Sequence, residues 1–187
     1  MRSLVEIFIF KFTEYSQSQQ VYYNTSVLNE FQTEKEEIQE SVDFEKTLKK
    51  YDREPQPKIT DVSLNVDLYP ADRGFRATGI YKLQNRTDKP IKTICVQMYP
   101  SDDLHLTKLT FSKPGKLDTT YAERFGFRRY ALAQPLQPGD SLQLDFAENR
   151  TPRGFSAGGA SSSIVPNGTF IDQQLFPTLG YDDSYEL

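Results

Sequence analysis

The chain has 187 residues, which is enough for one domain with a core of its own and an appendage. Its 22 Lys and Arg against 26 Asp and Glu give a net charge of −4, and no basic block is present. That balance argues against a nucleic-acid partner. A hydrophobic content of 37% and a mean hydropathy of −0.61 are low for a compact domain, so we expect part of the chain to be solvated or covered by a partner.

The N-terminal residues Met1–Phe12 are apolar but are interrupted by Glu6 and Lys11. The segment is too short to span a bilayer, which takes about 20 residues. No small-residue cleavage site follows it, so it is a poor signal peptide. Two interpretations stay open, a buried strand or the stub of a longer hydrophobic segment.

Asn29–Tyr51 is predicted to be a helix, since it lacks Gly and Pro and is rich in Glu, Gln and Lys. Its apolar residues form two separate groups at helical spacing, Phe31, Ile38 and Val42 on one face and Phe44, Leu48 and Tyr51 on another. Two short contacts or a bend are therefore expected, and a stalk helix and a solvated surface helix are both open. The proline-containing Asp52–Pro57 ends the helix.

From Lys58 onward the pattern favours strands. Val62, Leu64, Val66 and Leu68 alternate with polar residues, which predicts an antiparallel strand with one buried face. Further strands are predicted at Phe75–Leu83, Ile94–Met98, Leu104–Phe111, Arg128–Leu132 and Leu142–Phe146. Lys116–Phe127 has a less clear pattern, which is consistent with a bulge or a poorly aligned strand. We predict a mainly β fold, an antiparallel β-sandwich or saddle domain preceded by an α-helical lead-in.

The composition divides the chain into three parts. Residues 1–57 hold the apolar segment, a linker and the charged helix, and residues 58–150 form the antiparallel β domain. Residues 151–187 begin with a Gly/Ser-rich loop at Gly154–Ser163 and continue into an apolar C-terminal segment.

The chain lacks the motifs of a catalytic site. A zinc site needs three or four His, Cys or carboxylate ligands, but the chain has one His, His105, one Cys, Cys95, and no HExxH. Cys95 is expected to be an inert, at least half-buried thiol and His105 an ordinary strand residue. The acidic pairs Asp102–Asp103 and Asp182–Asp183 fit solvated turns better than a calcium site. We therefore predict no catalytic residue and no metal ligand in this chain.

Four Asn-x-Ser/Thr sequons are present, and we attribute them to chance or to turn chemistry. They lie at Asn24, Asn85, Asn149 and Asn167.

Three blocks of sequence together carry a resemblance to a known family. They are VYYNTSVLNEF (Val21–Phe31) with KKYDREPQPKITDVSLNVDLYP (Lys49–Pro70), GFRATGIYKLQNRTDKPI (Gly74–Ile91) with LAQPLQPGDSLQLDF (Leu132–Phe146), and NGTFIDQQLFPTLGYDDSYEL (Asn167–Leu187). From Val21 to Leu187 the chain resembles the N-terminal part of the aminopeptidase-like module of the M1 metallopeptidase family. More narrowly, it resembles bacterial proteins that fuse this module to a multi-pass ABC-type permease.

The resemblance implies a saddle-like β domain that precedes a thermolysin-like zinc domain. The family's HExxH and G-x-M-E-N motifs are missing here, so the implied zinc belongs to a catalytic domain outside this chain, and the chain itself binds no cofactor. The family's N-terminal domain lends a loop to the substrate pocket. The matching residues would be Asn167, Gly168, Thr169, Gln173 and Gln174, although this segment could instead only pack the sheet against the next domain.

The expected function is that of a non-catalytic N-terminal β domain of a membrane-tethered M1 aminopeptidase-like protein. The implied partners are the downstream zinc-peptidase domain and a peptide substrate, at the extracytoplasmic face of a bacterial membrane. The alternative is an independent extracytoplasmic β-sandwich for binding or adhesion, although the absence of Trp argues against a sugar-binding platform. A stand-alone hydrolase with a hidden carboxylate site is the third hypothesis.

Overall fold

The computed structural model describes residues 19–23, 33–98, 103–152, 164–171 and 175–187. Met1–Phe12 lies outside these ranges, so both interpretations of it stay predictions. Within the ranges that are described, no helix combines the length and the apolar character needed to cross a membrane.

The predicted helix is present as α1, Glu34–Leu48, followed by a 3-10 turn at Lys49–Tyr51. A capping box fixes its start, because the Thr33 hydroxyl accepts a hydrogen bond from the Glu36 amide while the Glu36 carboxylate accepts one from the Thr33 amide. Of the two apolar groups, the one containing Phe44 and Leu48 is buried, whereas Ile38 is 45% exposed. The helix therefore packs through one of its two apolar faces.

The β domain is built from seven main strands, and the mainly β fold predicted from sequence is confirmed. The strands are β1 (Lys58–Tyr69), β2 (Gly74–Gln84), β3 (Ile91–Gln97), β4 (Leu104–Phe111), β5 (Gly115–Tyr121), β6 (Phe127–Leu136) and β7 (Ser141–Arg150). Three two-residue strands follow, β8 (Ile164–Val165), β9 (Gly168–Thr169) and β10 (Thr178–Leu179). The unassigned stretch Lys116–Phe127 contains β5 and the helical turn α2, Ala122–Phe125, which ends at Gly126 with a positive φ of 65°.

Two four-stranded antiparallel sheets pack face to face. Sheet A has the order β1-β2-β7-β4, and sheet B has the order β10-β3-β6-β5. The core between them combines alternate residues of both sheets, including Phe75, Leu144 and Phe146 from sheet A and Ile94 and Val96 from sheet B. This arrangement is an antiparallel sandwich.

Helix α1 covers the outer face of sheet B and forms a second core. Phe44 and Leu48 contact Cys95, Phe125 and Phe127. The strand β3 is consequently buried on both faces, with Ile94 and Val96 toward sheet A and Cys95 toward the helix. The lead-in helix is thus part of the packed β domain, while the proposed division of the chain at residue 57 stays a prediction.

The burial predicted for β1 is wrong. Val62 is 50% exposed, Leu64 39% and Leu68 40%, although all three lie on one face as the alternation requires. In the register, Val62 lies opposite Tyr81 and Leu64 opposite Gly79, so this face continues the buried face of β2. Among the described residues, burial on this side of sheet A therefore ends between β2 and β1.

One of the sequons serves as turn chemistry. Asn85 is fully buried after β2, and its amide group donates hydrogen bonds to the carbonyls of Leu136 and Lys89, both at 2.8 Å. Its carbonyl oxygen accepts from the Thr87 amide at 2.9 Å. Asn85 therefore closes the turn between β2 and β3 from inside.

Candidate functional site

Three of the five sequence-predicted substrate-binding residues lie on a small hairpin. β8 and β9 pair antiparallel, with Ile164 opposite Thr169, and the turn between them exposes Asn167. Asn167, Gly168 and Thr169 are all exposed, whereas Ile164 at the base of the hairpin is 1% exposed and belongs to the sandwich core. The hairpin is anchored at its base and presents polar groups to solvent.

Gln173 and Gln174 lie outside the described residues, so the structure does not bring them together with Asn167. Their assignment, and that of the hairpin residues, stays a prediction. Two apolar residues beside the hairpin, Phe170 and Ile171, were not recognised from the sequence and are 71% and 39% exposed.

The segment that follows the hairpin returns to the sandwich and is held there by Phe176. The Phe176 ring lies 6.2 Å from that of Phe75 and 6.5 Å from that of Phe146, centroid to centroid. Two residues later the chain joins sheet B as β10, where Thr178 pairs with Gln97 and Leu179 with Val96. The Gly180 amide then donates a hydrogen bond to the Cys95 carbonyl at 3.0 Å.

The last residues contact helix α1. The Phe44 ring stacks on Tyr181 at 5.2 Å and meets Tyr185 at 5.3 Å. Lys49 forms an ion pair with Glu186 at 2.9 Å, and the Tyr181 hydroxyl donates to the same carboxylate at 2.9 Å. The hydrogen bond from Lys49 lowers the pKa of Glu186 below its ordinary value. Residues 175–187 thus connect the core of the sandwich to the helix layer.

The residues that the structure describes do not form a metal site. Across the described ranges, no group of three or more His, Cys, Asp or Glu side chains could hold a metal ion. His105 is exposed on β4, and Cys95 lies under the helix on the outer face of sheet B.

Cys95 lies in a polar cluster that connects the residues after α1 to sheet B. The Glu54 carboxylate accepts from Arg129 at 2.9 Å and from the Cys95 thiol at 3.7 Å, while the Arg129 guanidinium lies 4.1 Å from the centre of the Tyr51 ring. The Gln56 side chain accepts from the Cys95 amide at 2.8 Å. Burial, reinforced by the Glu54 charge, raises the pKa of Cys95 to about 12, so the thiol is a poor nucleophile.

Glu148 is a chemically unusual residue that was not recognised from the sequence. It lies on the inner face of β7, after Leu142, Leu144 and Phe146, and is 3% exposed. Neither of its carboxylate oxygens has a hydrogen-bond partner among the described residues. Burial raises the pKa of Glu148 to about 8, so the carboxyl is neutral at pH 7.

The signal for Glu148 was present in the alternation of β7. Its position has the inward phase of the strand, two residues after Phe146 and two before Arg150. Arg150 does not neutralise it, because the Arg150 guanidinium donates to Asp103 at 3.0 Å. Because its pKa is raised to about 8, the Glu148 carboxyl becomes charged mainly at alkaline pH. Its ionisation is therefore expected to affect the stability of the fold, not catalysis.

Neither the family models nor the curated proteins contain a match to this chain. Among solved structures, the chain is similar to an M1 zinc metallopeptidase from Deinococcus radiodurans, at 14% identity and a TM-score of 0.40. That match covers 52% of this chain and 21% of the other. A mutant of the enzyme bound to a Tyr-Ser-Ala substrate matches with the same identity and TM-score over 55% of this chain and 22% of that one. The match therefore spans about a fifth of those proteins, and it assigns no role to any residue here.

Proposed function

We propose that this chain is a non-catalytic N-terminal β domain of an M1 aminopeptidase-like protein, which scaffolds a zinc-peptidase domain and contributes to its substrate pocket. Its first support is the sequence resemblance in the three blocks between Val21 and Leu187. The observation that carries it is the anchored hairpin, in which buried Ile164 holds Asn167–Thr169 at the surface. A hairpin fixed at its base is suited to position side chains for a neighbouring domain or a peptide.

The hairpin offers two kinds of contact to a peptide. The Asn167 side chain supplies an amide that can both donate and accept, and Thr169 supplies a hydroxyl. Phe170, at 71% exposure, adds an apolar surface beside them. A small set of polar groups next to an apolar surface is typical of ligand pockets.

In this proposal the zinc, the catalytic base and the remaining pocket walls come from a following domain. The isolated chain is then expected to show no turnover of aminoacyl-anilide substrates in the presence of zinc. Release of the anilide by the purified chain, above the rate with zinc alone, would contradict the non-catalytic role. Stable binding of a glycan or peptide by the chain alone would instead favour an independent binding module.

The pocket contribution is tested in the protein that contains both domains. The gene beyond Leu187 is expected to encode HExxH within roughly the length of a typical domain. Asn167→Ala and Thr169→Ala are then expected to raise KM for peptides about tenfold with little change in kcat, since each removes one contact that is equally strong in the ground state and the transition state. The matched control is Thr110→Ala, an exposed threonine of β4. Unchanged KM in both hairpin variants would leave the hairpin with a packing role only.

Membrane tethering, an extracytoplasmic location and fusion to an ABC-type permease belong to the same proposal. Their support is the sequence resemblance and the apolar composition of Met1–Phe12. In bacteria that express the parent protein, the domain is expected in the membrane fraction and accessible to protease added to spheroplasts. A protein that resists protease until the cells are lysed would contradict this location.

A further inference from the structure

An apolar surface that no described residue covers fully runs along the inner face of β1. It consists of Val62, Leu64, Val66 and Leu68, which we call the β1 strip. Three of its members are 39–50% exposed, and Val66 packs partly against the core. The neighbouring inner-face residues of β2 are buried, so the burial of sheet A stops between β2 and the β1 strip.

The backbone of β1 is also a sheet edge. β1 is the terminal strand of sheet A, and along its 12 residues it pairs on one side with β2 in the part of the chain that the structure describes. Exposed edge strands usually carry proline or an inward-pointing charge that prevents pairing with another chain. Between Ile59 and Tyr69 there is no proline, and the inner-face positions from Val62 to Leu68 carry no charge.

The sequence of β1 is complementary to itself in an antiparallel register centred on Asn65. With Asn65 opposite Asn65 of a second copy, Val62 lies opposite Leu68 and Leu64 opposite Val66, so every member of the strip gains an apolar neighbour. On the polar face, Asp61 then lies opposite Tyr69 and Ser63 opposite Asp67. The register centred on Leu64 would instead oppose Asp61 and Asp67, two like charges.

The acidic groups of β1 are already balanced within the chain. Asp61 forms an ion pair with Lys82 of β2 at 2.7 Å, and Asp67 lies opposite Arg76 in the register. A second copy can therefore approach without opposing uncompensated carboxylates.

We propose that β1 pairs antiparallel with β1 of a second copy, about a two-fold axis at Asn65, and joins two four-stranded sheets into one of eight strands. The contact is isologous, as closed two-fold dimers require. It involves neither the hairpin nor the helix layer, so it does not depend on the proposed peptidase role.

Molar mass measured by light scattering across a dilution series of the full chain tests the dimer. Wild-type protein is expected to show the mass of two chains at high concentration and to dissociate on dilution. Val62→Lys and Leu68→Glu are each expected to weaken association at least about tenfold, which corresponds to 1.4 kcal/mol. Ile80→Lys is the matched control, because Ile80 is also 39% exposed but lies on the outer face of β2.

Mixing the two variants tests the register. The V62K chain and the L68E chain are expected to associate with each other more tightly than either does with itself, because the lysine then lies opposite the glutamate. Wild-type protein that stays monomeric at every concentration would overturn the proposal, and so would a dimer that both variants leave intact. The protein could also be monomeric alone and bind an added extended peptide along β1. That result would show that β1 pairs with another strand, and it would overturn the self-pairing.

A cysteine at the two-fold axis gives an independent readout. Asn65→Cys is expected to form an intermolecular disulfide under mild oxidation, since paired strands bring opposite Cα atoms to about 4.5–5.5 Å. Ser63→Cys is the control, because its symmetry mate lies four residues away along the strand. The native Cys95 is buried and is not expected to compete. A dimer in which the Ser63→Cys variant crosslinks as readily as the Asn65→Cys variant would contradict the register.

Discussion

β1 and β2 are adjacent strands with the same alternation of apolar and polar residues, yet one is exposed and the other buried. Phe75, Ala77, Tyr81 and Leu83 of β2 are at most 5% exposed, whereas Val62, Leu64 and Leu68 of β1 are 39–50% exposed. Both sets point to the same side of sheet A. The period of two therefore determines which side chains share a face of the sheet. Whether that face is buried depends on the layer that packs against it.

The largest expected effect concerns Glu148, a titratable residue on the covered face. Its pKa of about 8 exceeds the ordinary value of 4.5, so between these two pH values the folded state holds a proton that the unfolded state releases. The contribution of Glu148 to the free energy of unfolding is therefore expected to be fully present below about pH 4.5 and to fall as pH rises toward 8, by on the order of 4 kcal/mol. Urea unfolding measured from pH 5 to pH 9 checks this.

Glu148→Gln keeps the shape of the side chain and cannot ionise, so this variant is expected to lose most of the decline. A variant that shows the same decline as the wild type would assign the pH dependence to another group. Tyr81 is the nearby titratable candidate, but burial raises its pKa to about 12, above the range of the measurement.

Matched leucine truncations compare the two strands directly. Leu83→Ala in β2 removes a fully buried side chain and is expected to cost about 2–5 kcal/mol of unfolding free energy, through lost burial and the cavity left behind. Leu64→Ala in β1 is expected to cost less than about 1 kcal/mol in the monomer. Chemical denaturation at low protein concentration measures both. Equal losses would mean that the β1 strip is covered in solution.

Gly79 tests how tightly the covered face is packed. A Cβ atom at this position would overlap the Phe146 ring, which lies directly over the glycine. Gly79→Ala is expected to destabilise the fold by about 1–3 kcal/mol, as overpacking does. Gly168→Ala is the control, since a Cβ there meets no atom within 4 Å. A stability gain at Gly79 would show that the ring moves aside without cost.

The smallest effect is expected on the polar face that β1 and β2 share. Asp61 and Lys82 form an ion pair at 2.7 Å with both side chains more than half exposed. Exposed pairs of this kind contribute little and are screened by salt. Asp61→Asn is expected to leave the melting temperature unchanged within error at about 0.5 M salt. A clear loss at high salt would indicate a structural role beyond the charge.

Much of the β domain is predictable from alternation, and several predictions are confirmed. β2, β3, β4 and β7 occur where alternating or apolar runs place them. For Lys116–Phe127 the pattern indicated only a bulge or a poorly aligned strand, because the register of β5 shifts between Asp118 and Tyr121 and the two-residue period is lost there. The helical turn α2 was not predicted. Arg128–Leu132 was predicted as a short strand, whereas β6 continues to Leu136 because the pairing of Ile91 with Leu136 extends it past a bulge.

The candidate site is less predictable than the fold. Asn167–Thr169 came from family resemblance, and the structure adds that they lie on a hairpin anchored by Ile164. Glu148 was not recognised, because a charged residue at an inward position reads as the end of a strand unless the opposing layer is known. The contact of Tyr181 and Tyr185 with Phe44 joins the C-terminal segment to the lead-in helix, and no local pattern indicates it.

The sequence by itself determined most of the main strands, the faces on which their side chains lie and the presence of a helix before the β domain. These properties depend on interactions between residues close together in the chain. Only the tertiary structure decided that α1 covers sheet B, that Glu148 is enclosed without a hydrogen-bond partner among the described residues and that the β1 strip remains in water. Burial depends on which layer lies opposite, and that layer is assembled from residues distant in sequence.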